Sequence, residues 1–131
     1  MSGTEQYVIT TSDPFGNTVS LTNVTWRHIV EAHVDMTGHL RAIRSTVENP
    51  AIIYESTADE AALIFHGIGL LLPRPNIVRV VIRYDSMVDI RVGETEGYVV
   101  TAFAPSPTTQ FSGQIGPEFY RRPKKAKPRK R

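Results

Sequence analysis

The sequence predicts an α+β domain: an N-terminal hairpin and two helices packed on one face of a four- or five-stranded antiparallel sheet. Three observations carry this reading. Apolar residues recur with helical period between Asn23 and Glu48. After Pro50 the period drops to about two, in β-branched and aromatic runs bounded by turns. Helices grouped before strands suit one sheet with helices on one side, whereas a parallel βα array would alternate them. A chain of 131 residues supports one such domain with a modest core.

The elements follow in order. Tyr7 to Thr11 is β-prone, Asp13-Pro14-Phe15-Gly16-Asn17 is a turn cluster, and Thr18 to Leu21 returns as a second strand. Thr22 or Asn23 can cap a helix on which Trp26, Ile29, Val30 and His33 fall at i, i+3, i+4, i+7. Thr37-Gly38 interrupts it. A second helix, His39 to Glu48, carries Leu40, Ile43 and Val47 on one stripe and stops at Asn49-Pro50, because a residue before proline avoids α geometry. Strands are expected at Ala51 to Ser56, Ala61 to His66, Ile77 to Tyr84, Met87 to Val92 and Tyr98 to Phe103. In the third of these Val78, Val80, Ile82 and Tyr84 should face the helices, leaving Arg79 and Arg83 on the other face.

Composition narrows the chemistry. Without cysteine there is no disulfide, no thiolate zinc site and no cysteine nucleophile. The N-terminus lacks the basic and apolar regions of a signal peptide, and the longest apolar run, Ile68 to Pro73, falls far short of the roughly 20 residues of a membrane span. A soluble, cytoplasmic protein with no membrane partner is expected. The net charge of +2 divides sharply: residues 1–120 carry −6, and residues 121–131 carry +8 with all four lysines of the chain. Arg121, Arg122, Lys124, Lys125, Lys127, Arg129, Lys130 and Arg131 therefore read as a disordered basic tail, residues 105–120 as a Pro/Ser/Gly-rich linker, and residues 1–104 as the folded domain. The tail reads either as a polyanion-binding arm or as a solubilising end.

Phosphate-binding glycine loops and HExxH are absent, the acids are scattered singly, and His28 and His33 lie about 140° apart around a helix, so neither metal nor cofactor is expected. What remains is histidine and arginine. His33 should turn toward the sheet, as a catalytic group or as a satisfied core polar residue; His28 reads as a surface residue or a catalytic one, and His66 as a strand-end turn residue or a base. Arg79 and Arg83 need an anionic partner, from a phosphate or from the body's own acids. RNA gives this set a meaning. Attack by a 2′-hydroxyl needs a base and an acid near neutral pKa and fixed donors for the charge growing on phosphorus, which histidine and arginine supply without metal. Thr101 adds a hydroxyl on the last strand.

Taken in order, Thr25-Trp26-Arg27-His28-Ile29, His33-Val34-Asp35-Met36, Asn49-Pro50-Ala51-Ile52-Ile53-Tyr54, Arg79-Val80-Val81-Ile82 and Val99-Val100-Thr101-Ala102-Phe103 resemble the phage-associated nucleases of the barnase, EndoU, colicin and RelE-like fold. The resemblance covers about residues 20 to 105. It implies two helices on a four-stranded antiparallel sheet and metal-independent RNase chemistry of the kind found in toxins and phage-borne effectors, with a cognate inhibitor protein as a further partner. Carried onto this chain, it points to His28, His33, Arg79 and Thr101. The family's H-P-E stands here as His33-Val34-Asp35, and its aromatic-basic pair as Phe65-His66. The expectation is an endoribonuclease in which His28, His33 or His66 moves the proton, Arg79 and Arg83 hold the phosphate, Thr101 orients it and the tail gathers RNA. The alternatives are a non-catalytic nucleic-acid binding or adaptor domain that uses the tail, and a protein-interaction module whose acidic body meets a basic partner.

Overall fold

Local chemistry sets the first change of direction. The Thr22 hydroxyl accepts the Thr25 amide, so the chain passes from strand to helix with no loop between them. In the computed structural model, which describes residues 6–70, 76–106 and 114–124, the chain runs β1 (Tyr7–Ser12), β2 (Thr18–Thr22), α1 (Asn23–Ala32), a 3₁₀ turn (Val34–Met36) and α2 (Leu40–Glu48). Strands β3 (Ile52–Ser56), β4 (Ala62–Ile68), β5 (Ile77–Tyr84), β6 (Glu96–Phe103) and β7 (Ile115–Arg121) follow.

The class is α+β, as the periodicity predicts, but the sheet is larger than expected. Among the described residues seven strands form one open mixed sheet in the order β1-β2-β6-β5-β4-β3-β7. The hairpin joins this sheet because Thr18–Ser20 of β2 pair in parallel with Glu96–Tyr98 of β6. A parallel pair needs a long crossover, which both helices and three strands provide. The other pairings are antiparallel.

Two expectations are corrected. Met87 to Val92 is a turn segment with no strand in it: Ser86 Oγ donates to Asp89, the Ser86 amide donates to Thr95 Oγ1, and Ile90 plugs the core with Met87 packed against it while Val88 and Val92 stay exposed. The segment read as a linker contains β7, whose last residue, Arg121, is the first of the supposed tail. It pairs with β3 from Ser56↔Ile115 to Ile52↔Arg121 with two register shifts, and the Arg122 amide continues to the Ala51 carbonyl. Pro117 sits there because β7 is an edge strand, where a missing N–H costs no ladder bond. Residues 107–113 of the expected linker and 125–131 of the tail lie outside the described residues.

Ile29 of α1 and Ala42, Ile43 and Val47 of α2 pack with Leu63, Phe65, Val78, Val80, Ile82, Val99 and Ala102 from one sheet face. A Cβ at Gly67 would run into the Thr46 side chain, so glycine is what allows α2 to lie this close to β4. The opposite face carries Ile52 and Tyr54, Ile64 and His66, Arg79, Val81 and Arg83, and Thr101 and Phe103. Arg79 and Arg83 thus sit on the face away from the helices, as the alternation predicts.

Candidate functional site

Residues directly opposite one another on neighbouring strands share a face. The register sets Arg121 against Ile52, Ile52 against His66, His66 against Arg79, and Arg79 against Phe103. Five side chains from β7, β3, β4, β5 and β6 therefore form one row across the sheet, with neighbours about 4.8 Å apart.

His33 adds a sixth group from outside the sheet. At His33 the backbone leaves α1 with φ −135° and ψ 78° while its N–H still bonds the Ile29 carbonyl. The imidazole lies stacked on Phe103, ring centroids 4.9 Å apart and planes 20° from parallel. On the same ring the Arg79 guanidinium carbon stands 5.4 Å from the centroid. Arg79 Nε donates to His66 Nε2 at 3.1 Å, and the Tyr54 ring meets the His66 ring edge to face at 5.3 Å. The result is a chain of contacts: His33, Phe103, Arg79, His66, Tyr54.

Burial sets the charges. His66 is 2% exposed and Arg79 7%, so neither is bathed by bulk water. Loss of hydration, and then the nearby Arg79 cation, hold the His66 pKa down to about 4. Hydrogen-bond polarity agrees: an arginine Nε–H can only donate, so His66 Nε2 accepts, and the ring is neutral with its proton on Nδ1. Burial also lowers Arg79 from its ordinary value, opposed by Tyr54, yet an arginine stays cationic at neutral pH. His66 has thus given its lone pair to Arg79 and is not free to take a proton from substrate.

The other expected residues divide. Thr101, half-buried, sits opposite Val81 in the next row of the same face. Arg83 lies four residues beyond Arg79, largely exposed and 3.3 Å from Asp59, so a body carboxylate supplies its anionic partner. His28 is exposed on α1, and among the described residues no ring contact or hydrogen bond joins it to the row. Arg121, Arg122 and Lys124 line a groove of about 580 Å³ with Asn49, Ala51, Ile52 and Ile68. The remaining tail cations, Lys125, Lys127, Arg129, Lys130 and Arg131, lie outside the described residues.

Sequence reasoning missed Tyr54 and Phe103. Both were within reach of a parity argument, since Tyr54 alternates with Ile52 and Phe103 with Thr101, but only the strand register brings them to Arg79. Among the described residues no three His, Cys, Asp or Glu side chains gather as metal ligands would, and no helix is long and apolar enough to cross a membrane. Comparison with protein families, curated proteins and solved structures finds no match for this chain.

Proposed function

We propose that the chain is a metal-independent endoribonuclease acting at the Arg79 row. The observation that carries this reading is the unbroken run of contacts from His33 through Phe103 to Arg79 and His66. It sets a solvent-reachable imidazole and a permanently charged phosphate fork on one aromatic ring. In the reaction the 2′-oxygen bonds to phosphorus as the P–O5′ bond breaks; the 2′-hydroxyl loses a proton and the 5′-oxygen gains one. His33 performs one of these transfers and water completes the other. Arg79 binds the non-bridging oxygens and stabilises the charge that grows on them. His66 is a positioning residue: its Nε2 fixes the guanidinium. Thr101 orients the phosphate from the next row, while Arg83, already paired with Asp59, and His28 have no part. Since Arg79 is 7% exposed, RNA binding must uncover it.

The resemblance of residues 20 to 105 to phage-associated nucleases supports the same chemistry, and on this reading the protein acts as a toxin or phage-borne effector in the cytoplasm, with a cognate inhibitor as partner. The test is labelled RNA incubated with the protein in EDTA. Products ending in a 2′,3′-cyclic phosphate are expected. His33→Ala should lower turnover by about 10² to 10⁴-fold and Arg79→Gln by about 10² to 10³-fold. Loss of cleavage with chelator, or full activity in His33→Ala, would sink the mechanism. The groove lined by Arg121, Arg122 and Lys124 favours one other reading, a non-catalytic nucleic-acid binding domain. Salt-dependent RNA binding without any cleavage would select it.

A further inference from the structure

We propose that the groove lined by Arg121, Arg122 and Lys124 is a fixed track for the backbone of single-stranded RNA, continuous with the Arg79 row, and not merely the root of a diffuse polycation. The proposal rests on the reading of that row as an RNA site. Three features of these cations carry it. The chain here is tied to the sheet: Arg121 pairs with Ile52, and the Arg122 amide donates to the Ala51 carbonyl at 3.0 Å. Two of the side chains are already oriented, Arg121 by Glu118 at 2.6 Å and Arg122 by the Asn49 carbonyl at 3.2 Å. Both keep N–H groups to spare, because a guanidinium carries five.

Arg121 also belongs to the same cross-strand row as Arg79, three strand spacings or about 14 Å away. A short run of extended single strand covers that distance. Between the two cations lies Ile52, and Ile68, 55% exposed, forms a second apolar wall of the groove. Apolar walls flanked by cations suit ribose and base edges beside phosphates, without sequence readout. Two acids stand by: Glu118, already bonded to Arg121 itself, and Glu48 in the adjoining cleft, engaged by Arg44 at 2.9 Å and by the Thr11 hydroxyl, pairings that reduce their repulsion of phosphate.

The test compares two full-length variants that each remove three positive charges: Arg121→Gln/Arg122→Gln/Lys124→Gln in the groove, and Lys127→Gln/Arg129→Gln/Lys130→Gln farther along. The probe is a fluorescein-labelled single-stranded 2′-O-methyl RNA, which lacks the free 2′-hydroxyl and cannot be cleaved, read by anisotropy over a salt series. Circular dichroism melting confirms that each variant is folded, and Arg121→Gln alone is the milder substitute if the triple variant is not. Three fixed contacts predict that the groove variant flattens the slope of log K against log salt by about 2, at about 0.7 per phosphate. The distal variant should flatten it by clearly less. Equal losses in the two variants overturn the track. Absence of cleavage of ordinary RNA by the unaltered chain overturns the ribonuclease reading instead, and the two failures are separately visible because the anisotropy probe needs no turnover.

Discussion

Arg79 Nε–H has one proton to give and His66 Nε2 receives it, so the imidazole must stay neutral for the pair to hold. This gives His66 a defined effect on stability. Its pKa is held down to about 4 in the folded chain, against about 6.5 when the chain is unfolded. Between these values the unfolded state binds a proton that the folded state refuses. Stability from this residue is therefore complete above about pH 6.5 and is lost as the pH falls from there toward 4, by on the order of 2 to 3 kcal/mol. Urea unfolding across that window should show the loss, and His66→Asn should flatten the difference; equal pH slopes in the two proteins would remove the pair from the account. The sequence places Arg79 on the face away from the helices by simple alternation in β5. It cannot place His66 beside it, because that neighbour depends on how β4 registers against β5, and no local pattern encodes a pairing across a turn of unknown geometry.

Single side chains also fasten whole elements. Asp13, in the β1–β2 turn, is 5% exposed and accepts from the amides of Phe15 and Asn17, the Asn17 side-chain amide and the Tyr84 hydroxyl. The same Asn17 amide donates to the Ile90 carbonyl, and its oxygen accepts the Thr95 amide. One turn thus holds the segment between β5 and β6. Burial, then Asp13, raises Tyr84 above its ordinary range, so the phenol keeps its proton and remains the donor. Asp13→Ala would strand several buried donors and should cost about 2 to 4 kcal/mol, whereas Tyr84→Phe, leaving Asp13 its three other donors, should cost about 1 to 2 kcal/mol; chemical denaturation of both variants checks the order. Gly93 meets this turn at φ +72°, where an added Cβ would strike the Phe15 carbonyl oxygen. Gly93→Ala should therefore destabilise through backbone strain as well as contact, by more than the roughly 1 kcal/mol of an ordinary glycine replacement. This clamp explains the misreading of Met87 to Val92. Its alternating valines imitate a strand, but hydrogen bonds from the distant hairpin bend it into turns. β7 fails in the opposite way: Gly116 and Pro117 signal a break, and an edge position tolerates both.

At the scale of the molecule, the divided charge and the topology meet at Arg121. The body carries −6 and the last eleven residues +8, yet the boundary between them falls at the end of a paired strand, so charge and structure divide at different places. Two truncations expose the offset. A chain ending at Lys124 loses Lys125, Lys127, Arg129, Lys130 and Arg131, residues interleaved only with Ala126 and Pro128, which bring almost no apolar surface to bury. Its melting temperature should match the full chain. Its RNA affinity at low salt should fall, and its salt slope should flatten by clearly less than the roughly 0.7 per cation of fixed contacts. A chain ending at Tyr120 loses in addition the Ile52↔Arg121 pair, the Arg122–Ala51 backbone bond and the Arg122–Asn49 contact. Two or three such bonds at an exposed edge are worth about 1 to 2 kcal/mol together, a drop of about 3 to 8 °C for a domain of this size. Calorimetry on the two chains separates the contributions. If both melt with the full chain, β7 stabilises the sheet without its last residue and Arg121 belongs with the tail; if only the shorter one falls, the basic segment begins inside the fold, and the first cations that RNA meets are held in place by the sheet.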